Sequence, residues 1–240
     1  MPLMEHLREL RNRLIKGVLG IILGMVVGWF FYKQAFNFIS EPFCKIPIQN
    51  RVGCGPDGHP LIVTGVFDPF FVKLKVAFVV GLVVSSPIWF YQLWAFIAPG
   101  LTPEERRVVR PWVPIALLFF AIGIAVAWVV LPFALAFLFS FEGNGLTITL
   151  TVDNYFGFIT TLFLAFGLTM QFPIVLYILS RVGIVTSQRL RTARRYVILG
   201  IAVFSTVITP GGDLVSPTVL GVTMYLLFEI SIFVIRRSGR

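Results

Sequence analysis

Residues 111–139 read PWVPIALLFFAIGIAVAWVVLPFALAFLF, 29 consecutive positions without a charged side chain. A helix that crosses the hydrocarbon core of a bilayer needs about 20 such residues. In lipid every backbone N–H and C=O must be paired internally, so a run of this kind is satisfied as a helix. The whole chain agrees with this reading: of 240 residues, 57% are hydrophobic and 13% charged, which describes an integral membrane protein of one compact helical domain spanning 1–240.

Outward from this stretch, further apolar runs lie at 14–32, 69–97, 155–180, 196–209 and 217–235. Six transmembrane helices are the simplest parse, with a fifth and sixth span that read as short. Arginine is distributed to one side of them. Arg8, Arg11 and Arg13 precede the first run, and Arg106, Arg107 and Arg110 follow the second. Arg181, Arg189, Arg191, Arg194 and Arg195 follow the fourth, and Arg236, Arg237 and Arg240 follow the sixth. The alternate connections carry Glu142, Asp153 and Asp213, and the long one at 33–68 has Lys33, Lys45 and Arg51. Positively charged loops stay on the cytoplasmic side, which predicts N-in/C-in topology in a cytoplasmic (inner) membrane, an external loop at 33–68 and a cytoplasmic tail at 236–240.

The net charge of +9 sits in juxtamembrane clusters, where membrane lipids with anionic headgroups are the expected partner and nucleic acid is not. The first run is too long for a cleavable signal and is followed by the aromatic belt Trp29, Phe30, Phe31 and Tyr32, so it is expected to remain as span one. Ahead of it Leu3, Leu7, Leu10 and Leu14 recur at helical spacing, and Glu5 and Glu9 share a face. Segment 1–13 is therefore expected to be an amphipathic helix lying along the cytoplasmic interface.

Pro87, Pro114, Pro132 and Pro173 fall within or beside spans, where each removes a backbone donor and bends the helix; bent helices can enclose a concave groove. Cys44 and Cys54 both fall in the long connection, where a disulfide is permitted and two unpaired thiols are the alternative. His6 and His59 are predicted on opposite sides of the membrane, so no metal site and no cofactor is expected. The same scarcity of nucleophile–base pairs argues against an enzyme.

Polar groups at membrane depth are costly and few. Gln171 could bond an incoming helix or a neighbour within the chain. Glu229 is expected to pair with a local arginine, and Lys73 and Lys75 to snorkel towards the surface. The carboxylates predicted to be cytoplasmic, Glu5 and Glu9 ahead of the first span and Glu104 and Glu105 in the first internal loop, could dock arginines of a partner bidentately, as lysine cannot. Their alternatives are self-neutralisation, Glu9 by Arg13 four residues on and Glu105 by Arg106 or Arg107.

These residues also carry a resemblance. The segments HLRELRNR (6–13), EP (41–42), DPFF (68–71), SPIWFYQLWAFIAPGL (86–101), ERR (105–107), LPFA (131–134), AFG (165–167), FPIV (172–175), Thr209-Pro210 with Asp213, and FEISIF (228–233) are similar to the TatC family, the multi-spanning receptor subunit of the twin-arginine protein translocase. The resemblance covers nearly the whole chain. It implies a six-span concave scaffold, not an enzyme, that binds twin-arginine signal peptides. With TatA- and TatB-type single-span subunits and other TatC copies, it would export folded proteins using the proton motive force. It implies that Glu9 and Glu105 bind the signal arginines, with Arg11, Pro42, Trp94, Phe96 and Asp213 at functionally sensitive positions. The chain departs from the family pattern at Gln171, where a glutamate is common, and at Pro217, where glutamine is frequent. A small-solute transporter, and a scaffold for other membrane subunits without signal-peptide recognition, are the competing classes.

Overall fold

The computed structural model describes residues 3–45, 61–97, 112–140, 150–181, 183–209 and 214–237. Ten helices lie within them: α1 Leu3–Phe30, α2 Tyr32–Lys45, α3 Asp68–Val84, α4 Ser86–Ile97, α5 Trp112–Phe139, α6 Val152–Thr169, α7 Phe172–Arg181, α8 Ser187–Thr192, α9 Arg194–Ile208 and α10 Val215–Arg237. Four stretches are long and apolar enough to cross a membrane: α1 from Leu7, α5, the run from α6 through α7, and α10. The α3–α4 pair, bent by 60°, is a fifth if counted as one span. Helix α9, at 15 residues, is about 22 Å long and falls short of a bilayer core, in line with the short fifth span expected. The sixth was expected to be short as well; α10 instead has 23 residues and reaches full spanning length.

Three elements depart from the sequence expectation. The leucine stripe at 1–13 does not form a separate interfacial helix. It is the first part of α1, which runs unbroken for 28 residues, and its exposed Leu7 and Leu14 continue into the equally exposed Val18 and Ile22. No proline interrupts this run, so nothing forces a turn between the charged and apolar parts. Within the connection at 33–68, residues 32–45 form the helix α2. Lys75, expected to snorkel outwards, instead reaches across to Asp153, with Nζ 2.6 Å from Oδ1.

The core is built around α6. Of the apolar stretch of α6–α7, 56% is buried, against 22% for α1, so α6 is central and α1 peripheral. Tyr155, Phe156, Ile159, Leu162 and Phe166 of α6 meet Ala127, Leu131, Ala134 and Leu135 of α5, with Val72 and Val76 of α3 in the same cluster. Helix α2 is fastened to this core by ring contacts of Phe36 with Phe156 (5.1 Å) and Phe43 with Tyr155 (5.5 Å), and the Tyr155 hydroxyl donates to Ile39 O at 2.7 Å.

Helices α1 and α3 approach closely because glycine faces glycine. A Cβ at Gly24 would stand 2.4 Å from Gly81 O, and one at Gly81 would stand 2.5 Å from Met25 N, distances no side chain tolerates. Small residues at such contacts are how membrane helices gain packing energy where lipid supplies no hydrophobic drive.

A repeat that the sequence reading missed becomes visible in this architecture. Gly81-Leu82-x4-Pro87-Ile88-x2-Tyr91 recurs as Gly167-Leu168-x4-Pro173-Ile174-x2-Tyr177, 86 residues later (167 − 81). Both copies are broken helices, 17 and 12 residues in α3–α4 and 18 and 10 in α6–α7, and the helix before each break packs against a 28-residue partner, α1 or α5. The two start side by side, where Ile62 and Thr151 form a parallel bridge. The repeat is therefore direct, not inverted.

Candidate functional site

Glu9 lies in the second turn of α1, with 24% of its side chain exposed. Arg13 donates to it from Nε (2.9 Å) and from a terminal guanidinium nitrogen (2.7 Å), both onto Oε1. One carboxylate oxygen is thus engaged at i,i+4 spacing, while Oε2 takes no hydrogen bond from any described residue. The alternative of local self-neutralisation is realised at one oxygen only. Arg11, two residues on, is exposed.

Helix α4 runs alongside α1. Gly17 sits beside Trp89, at 3.7 Å for an added Cβ, and Gly20 beside Ile88. The bend between α3 and α4 arises at Ser85-Ser86-Pro87, because Pro87 has no N–H to offer Val83 O. Leu82 O, freed by the break, accepts instead from the Trp89 indole Nε1 at 3.0 Å. This bond holds the bend and fixes where α4 lies. Tyr91 and Leu93 project from α4 as exposed apolar surface.

Trp94 and Phe96 occupy the next turns. Trp94 is buried with Phe90, Phe120, Ile174 and Ile178, so it braces α4 against α5 and α7, and its Nε1 is buried without a hydrogen-bond partner among the described residues. Phe96 is partly exposed. Gln171, at the α6–α7 break, donates from Nε2 to Ala116 O of α5 at 3.1 Å, which is the interhelical alternative foreseen for it. Pro42 lies buried within α2, far along the chain from Glu9, at the end of the molecule where α3 and α6 begin. Glu105, Asp213 and Cys54 lie outside the described residues, as do the side chains of Glu5 and Cys44.

Glu229 of α10 takes a hydrogen bond on Oε2 from Arg194 of α9 at 2.6 Å, as expected of a carboxylate near an arginine-rich end. Among the described residues no group of three or more His, Cys, Asp or Glu could hold a metal ion. Two cavities were not legible in the sequence, because each is made by residues from separate helices. One of about 560 Å³ is lined by Lys75 and Asp153 together with Leu135, Phe139, Asn154 and Thr161. The other, of about 530 Å³, lies between α9 and α10, with Ser205, Thr206, Thr209 and Thr218 along a mostly apolar wall.

Residues 5–222 match the family model of the Sec-independent protein translocase protein TatC. A protein of that name from Frankia casuarinae is 38% identical over 98% of this chain, which spans 65% of that relative's length. The Escherichia coli K12 protein is 37% identical over 97% of this chain and 87% of its own, and the Aquifex aeolicus protein is 35% identical over 100% and 97%. Two solved structures of the twin arginine translocase receptor TatC superpose with a TM-score of 0.81 at 34% identity, one of them, in DDM, covering 96% of this chain and 99% of its own.

Proposed function

The chain belongs to the TatC family of Sec-independent protein translocase proteins, and from that premise we propose that it is the signal-peptide receptor and core scaffold of a twin-arginine translocase. It is a multi-pass membrane component of a protein translocase, not an enzyme. The finer reading places both termini in the cytoplasm and the chain in the cytoplasmic membrane. The carboxylates of Glu9 and Glu105 take the paired arginines of the signal, and folded cargo is exported at the expense of the proton motive force.

The observation that carries the receptor reading is the state of Glu9. Its Oε1 already holds a guanidinium, while Oε2 takes no hydrogen bond from any described residue, at the arginine-bearing end of α1. A second guanidinium can add at Oε2, or displace Arg13 at little net cost, since one arginine–carboxylate contact is exchanged for another. Partly exposed pairs of this kind are worth about 1 kcal/mol or less, so they select rather than hold. Apolar contact must supply most of the affinity. The exposed surface of α1 and of Tyr91 and Leu93 on α4 runs on from Glu9 and suits the hydrophobic region of a signal peptide.

Arg11, Pro42, Trp94, Phe96 and Asp213 support recognition or assembly in this reading. For Trp94 and Pro42 that support is indirect, through the placement of α4 and α2. Partner subunits of the TatA and TatB type, with one span each, suit the groove between α9 and α10, whose Thr206 and Thr209 hydroxyls donate to Ala202 O and Ser205 O and can still accept from a donor on an incoming helix. Other TatC copies would complete the assembly.

The test is binding of a labelled twin-arginine signal peptide to the full chain in nanodiscs, for the native protein and for Glu9→Gln and Glu105→Gln. A marked loss of binding in either variant, with the melting temperature unchanged, is expected. Equal binding throughout, or flux of small solutes through vesicles containing this chain alone, would overturn the receptor reading in favour of a scaffold or a transporter.

A further inference from the structure

After Asp153 the sequence carries eight cations, and all are arginine: Arg181, Arg189, Arg191, Arg194, Arg195, Arg236, Arg237 and Arg240; the only acids are Asp213 and Glu229. A general preference for positive charge at one membrane face would be met by lysine equally well. Arginine differs in presenting a planar fork that engages phosphate oxygens in pairs.

The fold gathers these residues. The short helix α8 buries one side chain, Leu190, in the same hydrophobic cluster as Ile235 of α10, with Phe228 and Ile232 beside them, and α8 packs directly on α10. Leu190 is flanked by Arg189 and Arg191, and Ile235 is followed by Arg236 and Arg237, all four exposed. Two arginine pairs from separate elements are thereby brought to one corner. Glu229, the one described carboxylate of this region, already holds Arg194, and none of the four is in an ion pair with a carboxylate of the described residues. Phe233 and Val234, exposed just before Arg236, are the apolar surface that lipid chains would cover. Arg236 and Arg237 follow these apolar side chains within one turn, and Arg189 donates from a terminal guanidinium nitrogen to Ile184 O at 3.3 Å.

We propose that this corner, where the Leu190–Ile235 cluster joins Arg189 and Arg191 to Arg236 and Arg237, is a binding site for an anionic phospholipid bearing two phosphates in one headgroup. Each pair takes one phosphate. A lipid fits better than a soluble acidic peptide because the patch adjoins exposed apolar side chains that its acyl chains cover in the same event. The site is separate from Glu9, so its failure would leave the receptor reading untouched.

The test is native mass spectrometry of the full chain in detergent, titrated with diphosphatidylglycerol and, separately, with phosphatidylglycerol at equal total phosphate. Preferential retention of one diphosphatidylglycerol is expected. Arg189→Gln with Arg191→Gln, and Arg236→Gln with Arg237→Gln, should each lower that retention about tenfold or more, given about 1 kcal/mol per basic residue at a membrane surface. Arg8→Gln with Lys16→Gln removes the same charge elsewhere and should leave retention unchanged. Replacing the four arginines by lysine keeps the charge and should lessen the preference for two phosphates. Equal retention of both lipids at equal phosphate, an equal loss in the Arg8 and Lys16 control, displacement by inorganic phosphate, or tighter capture of a soluble acidic peptide would each overturn the site.

Discussion

Arg13 engages one oxygen of Glu9 through two hydrogen bonds, and that pairing shapes what each substitution should do. Replacing Arg13 by Gln frees the whole carboxylate and removes a competitor, so the affinity for a twin-arginine peptide should rise, by about threefold if the exposed pair is worth near 0.6 kcal/mol. Fluorescence anisotropy in nanodiscs would show it; a fall in affinity would mean that Arg13 itself contacts the ligand. Gln171 makes the opposite point. Its amide is used inside the chain, on Ala116 O, so Gln171→Leu should lower the thermal stability of the protein in detergent by about 0.6–2 kcal/mol whether or not a ligand is present. The amide's identity was plain in the sequence and its partner was not, because the bond spans 55 residues and depends on where α5 and the α6–α7 break meet. Trp94 shows the same limit. The family resemblance implies that it is a sensitive position, while only packing shows it to be a brace between helices.

Among the elements, α5 was legible from run length alone, since it follows from an uncharged stretch, whereas α10, which holds Glu229, is longer than its apolar run suggested. What run length cannot give is where a helix bends or whether two helices are one. The break at Ser85 follows from Pro87, but its 60° angle is set by the Trp89 bond to Leu82 O and the packing of α4 on α1. The continuity of α1 was hidden because its charged start and apolar remainder invite separate readings, although nothing in the backbone separates them. Helix α2 was missed because it lies in a connection rich in glycine and proline beyond Lys45, and because its stability comes from Tyr155 and Phe156 rather than from its own pattern. The α1–α3 contact should be sensitive in a way an ordinary lipid-facing glycine is not. Gly24→Leu places a side chain against Gly81 O and should cost about 1–3 kcal/mol, or abolish folding, whereas Gly200→Leu, with open space around it, should have little effect. Comparison of the two melting curves in the same detergent checks this, and equal loss would contradict the close approach.

Across the whole molecule, two broken helices begin side by side and are tied at that end by the Lys75–Asp153 pair and the Ile62–Thr151 bridge. Asp153→Asn leaves the Lys75 charge without its partner and should destabilise the protein by about 1 kcal/mol, the pair being partly exposed. Lys75→Met combined with Asp153→Leu should be less harmful than either single change, which thermal melts of the three variants would reveal. At the opposite end the carboxylate of Glu9 and the arginine corner at α8 and α10 present two different chemistries, one for an arginine pair and one for phosphate. The central claim is that Glu9 reads arginine itself rather than positive charge in general. The measurement that bears on it most directly is a double-mutant cycle of dissociation constants, pairing native protein and Glu9→Gln with a twin-arginine peptide and its twin-lysine counterpart. The account predicts that the preference of the native protein for arginine over lysine is largely lost in Glu9→Gln. An undiminished preference would place the discrimination elsewhere and contradict it.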